Sequence, residues 1–461
     1  MRKILYFTLP NIFSRGLSFL LFPFLALYLN PQSYGNLNII ILVSTAYIAL
    51  TSFSINQYIY KQIKIDKSLK TLKERYTITF YISLILFIIT IFILLLVQYS
   101  SYIIYIYMFL IYFLDLFFCT FYRDYYRATN DEKKFAFSEL IKVIIYPVVT
   151  CFCLAYLNID LYSVIIGNFL ALMANITFNI RNAGVFFTKM KSNEVFPIKI
   201  IKETYMYTFP FSLQALLQLV LNGADKFIIS LVLGNYYVGI YTAALTLSNL
   251  LGVASQALNN YLIGVFIEAR RVEDIQVQIF TFVKLILLLC FTIIYIAPSF
   301  VDLFLPDSYN NSIIYLPILL IGQIFVSLNF LLVNILSVNL LDTKSIGYSN
   351  LVAAIANIIL NIILIPKLGL TAASFISTFS YILLFLILRH KVSKKINVKF
   401  FNIHSLKLLS LLLLIYVISN FIFKLSDLSE FILKILILLL ISSLFAYREI
   451  QNFRINNVIK V

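Results

Sequence analysis

Apolar runs of bilayer length follow one another along the whole chain, and they decide what it can fold into. A helix needs about 20 apolar residues to cross the hydrocarbon core. In lipid every backbone polar group must be satisfied internally, so runs of that length are helices. Fourteen can be placed: 4–29, 36–60, 76–98, 101–122, 135–157, 160–187, 205–233, 236–266, 275–298, 312–339, 345–366, 369–388, 405–423 and 428–447. The composition agrees: 61% of the 461 residues are hydrophobic and 12% are charged, against about a quarter charged in soluble domains. The expected fold class is all-α, a polytopic membrane protein of about 14 transmembrane helices. Met1-Arg2-Lys3 resembles the start of a signal peptide. The apolar segment behind it is of span length and lacks a small-residue cleavage pattern, so it is read as a first helix that stays.

The basic residues set the orientation. With the N-terminus inside, 29 of the 36 Lys and Arg fall on inner segments, chiefly 61–75, 123–134, 181–202 and 389–407. Outer ends hold Lys367, Lys424 and Lys434, while Arg15, Lys142, Lys226 and Lys284 lie inside spans. This bias places both termini in the cytoplasm. It also accounts for the net charge of +16 as a topology signal facing anionic lipid, not a nucleic-acid patch. Cys119, Cys151, Cys153 and Cys290 lie in apolar segments without metal-ligand spacing and read as small buried hydrophobes. His390 and His404 share one basic loop and read as solvated.

Internal echoes divide the chain. Thr8-Leu9-Pro10 returns as Thr208-Phe209-Pro210, and Leu29-x5-Gly35 returns as Leu233-x5-Gly239. Asp131-x-Lys133-x4-Ser138-x-Leu140 returns as Asp342-x-Lys344-x4-Ser349-x-Leu351. Helices 1 and 7 both start inside, so two parallel six-helix repeats are expected, with a site between them near the midplane. The division is 1–187 for the first lobe, 188–204 for a cytoplasmic linker and 205–389 for the second lobe. A basic loop (390–404), two added helices (405–447) and a cytoplasmic tail (448–461) follow.

Polar residues recur at helical spacing inside these runs. Helix 7 carries Gln214, Gln218, Asn222 and Asp225 on one face; helix 8 carries Thr242, Thr246, Asn249, Gln256 and Asn260; helix 11 carries Asn350, Asn357 and Asn361. Each amide alone reads as interhelical glue worth about 0.6 kcal/mol. Stripes on several helices together fit a hydrated cavity. A charge at a helix centre costs about 2.5–3.5 kcal/mol and is rarely idle. Arg15 stands about 16 Å along helix 1 at about 1.5 Å per residue, with Pro10, Gly16 and Pro23 around it. A cavity with Arg15, Lys226 and Lys284 would attract an anion such as phosphate. Asp225-Lys226 also reads as a structural ion pair, Glu139 and Lys142 as residues near the cytoplasmic surface, and Asp115 as a charge within helix 4. No catalytic constellation, Walker motif or nucleotide-binding segment is present. Transport would therefore draw on an H+ or Na+ gradient or on the substrate's own gradient, with no cofactor.

The stretch A-D-K-F-I-I-S-L-V-L-G-N-Y-Y-V-G-I-Y-T-A-A, Ala224 to Ala244, resembles the seventh–eighth helix signature of bacterial polysaccharide flippases. Leu29-Asn-Pro-Gln-Ser-Tyr34-Gly35, Leu305-Pro-Asp-Ser-Tyr309 through Leu316-Pro317-Ile-Leu, and Ile365-Pro366-Lys-Leu-Gly369-Leu-Thr-Ala-Ala373 look like further signatures in the same order. The resemblance implies an O-antigen or capsule repeat-unit flippase of the multidrug/oligosaccharidyl-lipid/polysaccharide exporter superfamily. Such proteins are V-shaped, with MATE-like lobes, and lie in the bacterial inner membrane. They move an undecaprenyl-pyrophosphate-linked oligosaccharide to the outer leaflet by alternating access. The implied partners are that lipid-linked oligosaccharide, membrane lipids, and the polymerase and chain-length regulator of the same pathway, with no nucleic acid. Arg15 matches by position the cationic residues thought to engage the pyrophosphate, and Lys226 belongs to the seventh-helix signature. Lys284 is drawn from charge alone. The expected substrate set is Arg15, Gln218, Asn222, Asp225, Lys226, Asn249, Lys284 and Asn357, with no catalytic or metal residues.

Three readings compete. An ion-coupled drug or metabolite antiporter of the same superfamily would usually have twelve helices and a carboxylate-lined cavity. A membrane-embedded polymerase would usually carry a large outer loop, and no outer loop here exceeds about 14 residues by this span placement. A peptidoglycan-precursor flippase is a close relative. The topology has a direct check: a Lys344→Cys variant should resist a membrane-impermeant thiol reagent in intact cells and react once the membrane is opened. Labelling from outside would invert the orientation.

Overall fold

The computed structural model describes residues 16–17, 19–51, 54–60, 63, 69–97, 102–157, 159–184, 198–268, 272–422 and 429–438. Arg15, Thr8-Leu9-Pro10, the first part of the expected linker and the tail lie outside them. The described residues form helices and no strand. In order these are α1 (Phe19–Tyr28), α2 (Pro31–Thr51), α3 (Ile55–Tyr60), α4 (Leu69–Val97), α5 (Tyr102–Asp115), α6 (Phe121–Thr129), α7 (Glu132–Phe152) and α8 (Asp160–Ala183). Then follow α9 (Ile198–Val232), α10 (Asn235–Glu268), α11 (Val272–Phe304), α12 (Ser312–Asn334), α13 (Thr343–Ser393) and α14 (Ile403–Ile422). Ten helices among the described residues are long and apolar enough to cross a membrane. The chain is a multi-pass membrane protein. The expected spans 345–366 and 369–388 are the two arms of α13, which breaks at Gly369 (φ 63°, ψ −144°). Asn357 Nδ2 donates to Ser380 Oγ across that break at 3.1 Å. A straight helix would hold residues that far apart in sequence about 35 Å apart, so the arms lie side by side.

The chain falls into two compact units, Met1–Gly239 and Ile240–Val461. The core of the first is aromatic. Tyr76, Phe80, Phe87, Phe113, Phe117 and Phe121 pack between α4, α5 and α6. A π turn, Leu116–Thr120, joins α5 to α6. Such a turn shifts backbone hydrogen bonds out of register, and side chains here take carbonyls within it. Tyr76 OH donates to Phe117 O (2.7 Å) and Asn179 Nδ2 to Phe118 O (2.9 Å).

The first unit keeps α9 at both ends. At the N-terminal end of α9, Arg75 donates to Thr204 Oγ1 (2.6 Å) and pairs with Glu203 (3.1 Å), and Tyr58 meets Tyr207 edge-on. Helix α9 begins at Ile198, so residues 198–204 of the expected linker are already helical. At its C-terminal end the two repeated hairpin motifs meet. An added Cβ on Gly35 would lie 1.8 Å from the Asn235 carbonyl oxygen. One on Gly239 would lie 2.0 Å from the Pro31 carbonyl oxygen. Asn235 Nδ2 also donates to Asn36 Oδ1. The third echo is also matched. Asp131 caps α7 by accepting from Lys134 N (3.3 Å), and Asp342 caps α13 by accepting from Ser345 N (3.2 Å). The Ser345 hydroxyl, then its backbone N–H, hold the Asp342 carboxyl below its ordinary pKa. That cap is therefore fully present above the ordinary carboxylate range and is lost as pH falls through the lowered value.

In the second unit amides and hydroxyls link α10 to α12. Gln323 Nε2 donates to Asn249 Oδ1 (2.7 Å), Ser327 Oγ to Ser255 Oγ (2.8 Å), and Asn334 Nδ2 to Asn259 Oδ1 (2.7 Å). The 429–438 helix docks on α11 through Lys434. It is buried, pairs with Glu430, donates to Ser299 Oγ (2.9 Å) and lies over the Tyr295 ring. The four cysteines are free, two of them buried and two half-buried.

The hairpin contact leaves no room for a side chain. Gly35→Ala should destabilise the protein by about 1–3 kcal/mol, since backbone must move to admit the methyl group. Thermal unfolding in detergent checks this, and an unchanged midpoint would show that the contact is loose.

Candidate functional site

The substrate residues expected from sequence divide by environment. On α9, Gln214, Gln218 and Asn222 are exposed. An exposed amide on a spanning helix cannot rest in hydrocarbon without heavy cost. Asp225 breaks from this stripe. The C-terminal half of α9 packs closely, with Leu221, Asp225 and Ile229 buried and Gly223 set against Leu42. Asp225 Oδ1 accepts from the backbone N–H of Lys226 at 2.7 Å, and Lys226 is half-buried. In the second unit, Asn249 is exposed but accepts from Gln323, and Lys284 is half-buried on α11. Asn357 is buried: it donates to Ser380 and accepts from Asn361 Nδ2 at 2.9 Å. It serves as a link between helix segments. Arg15 lies outside the described residues.

A cavity of about 360 Å3 in the first unit gathers a group that the sequence reading had scattered. Leu21 of α1 and Ile41 of α2 form apolar wall, and Tyr112, Tyr146 and Asn168 add polar groups. Four charged residues complete it, from three consecutive helices. Lys142 Nζ of α7 lies 2.6 Å from Asp115 Oδ1 at the end of α5. Arg123 Nη1 of α6 lies 3.1 Å from Glu139 Oε1 of α7. Arg123 Nε stands 3.7 Å from Asp124, which accepts from Asn56 Nδ2 at 3.2 Å. The π turn brings Cys119 and Thr120 to the same wall, and Thr120 Oγ1 donates to Asp115 Oδ2 at 3.4 Å. π turns are frequent at functional sites.

The sequence reading gave Arg123 to an inner loop and left Glu139 and Lys142 near the surface. Helix α6 instead carries Arg123 in its first turn, and α7 faces it. One signal was available: acidic and basic residues of opposite sign on consecutive spans, Asp115 with Lys142 and Arg123 with Glu139. Among the described residues no group of His, Cys, Asp or Glu has an arrangement that could hold a metal ion.

The sequence profile of the family described as polysaccharide biosynthesis protein matches residues 1–267. No curated protein matches the chain by sequence. Among solved structures, a lipid II flippase MurJ in an inward closed conformation aligns with a TM-score of 0.72 at 18% identity, covering 97% of this chain and 99% of its own. An inward-facing MATE family multidrug transporter of the MOP superfamily aligns with a TM-score of 0.58 at 14% identity, covering 85% of this chain and 95% of its own. A MOP superfamily transporter from Pyrococcus furiosus gives a TM-score of 0.53 at 14% identity, with 86% and 96% covered. The fold is that of these exporters, as the sequence resemblance implied.

The Asp115–Lys142 pair should behave as a coupled unit. Lys142→Met should cost about 1–3 kcal/mol, a buried-pair loss discounted because the lysine is partly accessible. Asp115→Asn/Lys142→Met should recover most of it. Thermal unfolding of the single and double variants checks this, and additive losses would dissolve the pair.

Proposed function

This chain belongs to the polysaccharide biosynthesis protein family, and from that premise we propose that it is a lipid-linked oligosaccharide flippase. It moves an undecaprenyl-pyrophosphate-linked repeat unit of an O-antigen or capsule from the cytoplasmic to the outer leaflet by alternating access. The observation that carries the reading is the family match over residues 1–267. The exposed amide stripe of α9 supports it, because a helix apolar enough to span offers Gln218 and Asn222 to something other than lipid.

The substrate has three chemistries, and the proposed residues fit two of them. Its pyrophosphate calls for cations, which Arg15 and Lys226 supply, with Lys284 as a further candidate. Its sugars call for hydrogen-bonding side chains, which Gln218, Asn222 and Asn249 supply. Its polyprenyl tail needs only apolar helix surface open to lipid. Lobes follow the repeat, 1–187 and 205–389, with 390–404 and the added helices 405–447 behind them. The protein lies in the bacterial inner membrane with both termini cytoplasmic, coupled to H+, Na+ or the substrate gradient, beside the polymerase and chain-length regulator of its pathway.

A second reading has its own support. The lipid II flippase covers 97% of this chain and the MATE transporter 85%. That length favours a lipid-linked glycan over a drug-like ligand, and a peptidoglycan precursor fits the same carrier chemistry. Because these neighbours are transporters and flippases, the polymerase reading loses its ground.

Arg15→Ala should abolish surface polysaccharide while the protein still reaches the membrane. The checks are a glycan stain of intact cells and an immunoblot of membranes. Normal polysaccharide in a cell carrying only the variant would sink the role of Arg15.

A further inference from the structure

We propose that the first-unit cavity is a subsite for a neutral sugar residue of the carried glycan, an inference that rests on the flippase reading and deepens it. The starting observation is that two complete ion pairs line one cavity. The Lys142 side chain is 41% accessible and that of Arg123 35%, whereas Asp115, Glu139 and Asp124 are 18%, 15% and 10% accessible. Both members of each pair, Lys142 with Asp115 and Arg123 with Glu139, line the space, with the cations the more accessible of the two.

This arrangement offers hydrogen-bond donors without net positive charge. Lysine has three N–H donors and arginine five. The hydrogen bonds of Lys142 and Arg123 go to Asp115 and Glu139, which leaves further N–H groups of both cations for a ligand. Three carboxylates against two cations leave the cluster with one surplus negative charge. A pyrophosphate, with its several negative charges, would therefore be repelled. No group of His, Cys, Asp or Glu suited to a metal ion exists among the described residues. A neutral ligand rich in hydroxyl and carbonyl oxygens meets neither obstacle. The Tyr112 and Tyr146 rings and the Asn168 amide complete the kind of wall that holds a sugar. The volume of about 360 Å3 lies near the lower end of small-molecule sites, about 300–1,000 Å3. That suits a terminal sugar residue rather than a whole repeat unit.

The test uses the full chain in lipid nanodiscs. Thermal unfolding is followed against N-acetylglucosamine, glucose, glucosamine, glucuronic acid and NaCl. Binding of undecaprenyl pyrophosphate is then compared with and without one N-acetylglucosamine attached. The neutral sugars should raise the unfolding midpoint saturably, and the charged sugars should do so less. Asn168→Leu and Tyr146→Phe should each weaken sugar binding about tenfold, the loss of one or two hydrogen bonds. Both should leave the bare carrier bound as before, and that bare-carrier affinity reports that the variants are folded. A midpoint raised by NaCl alone, a preference for a charged sugar, or unchanged sugar binding in both variants would each overturn the subsite. Equal affinity for bare and loaded carrier overturns the subsite alone. Failure to bind either carrier defeats the flippase reading with it.

Discussion

The reciprocal contact of Gly35 and Gly239 sets the geometry on which the first unit is built. Each glycine meets a carbonyl four residues before the other, Asn235 and Pro31. The approach is that of a Cα–H···O contact between helices, for which only a hydrogen fits where a Cβ would stand. The two hairpins, α1–α2 and α9–α10, thereby touch at equivalent points. Apolar attraction is weak between helices that already sit in lipid, so such close packing is the available glue. With the C-terminal end of α9 fixed here and its N-terminal end held at Arg75, the helix stands along the first unit for its full length, with its amide stripe turned away from that packing.

Much of this fold was legible in the sequence because lipid is an unforgiving solvent. Span length and the cost of an unsatisfied backbone leave a long apolar run one structure. The echoes at Leu29-x5-Gly35 and at Asp131 had physical content as well. The first proved to be a helix contact between the echoed glycines and the second a pair of caps at the echoed aspartates. The stripes were less informative. Asn222 and Asn357 are the same residue at the same helical spacing. One is exposed, and the other is spent on Ser380 and Asn361. Periodicity tells which residues share a face but not what that face meets. The cavity was hidden for a related reason. Its charges come from α5, α6 and α7, and a π turn inside an apolar run decides whether Arg123 points into the fold or belongs to a loop.

Polar side chains inside these helices do two kinds of work, distinguished by how their hydrogen bonds are spent. In the second unit, Asn249, Asn259 and Asn357 link one helix segment to the next. Such links contribute about 0.6 kcal/mol each and hold a register. In the first unit, the cavity charges are paired among themselves and keep donors in reserve. A paired charge is poor evidence of stability, since desolvation consumes much of the attraction. Two pairs and a fifth charge in one small space therefore ask for a reason beyond folding.

A lipid-linked glycan supplies such a reason, because its two polar ends need opposite electrostatics. The pyrophosphate must be met by cations that nothing else neutralises, or it gains nothing on leaving the headgroup region. A neutral sugar, as proposed for the cavity, would be bound by a bare cation no better than by water, and that cation would attract every stray anion. Donors backed by carboxylates answer that need. They keep directional hydrogen bonds and cancel the field that would recruit phosphate to the wrong place. On the proposed reading, pairing Lys142 with Asp115 and Arg123 with Glu139 would keep sugar and pyrophosphate apart, leaving the pyrophosphate to a cation outside the pairs, the role proposed for Arg15.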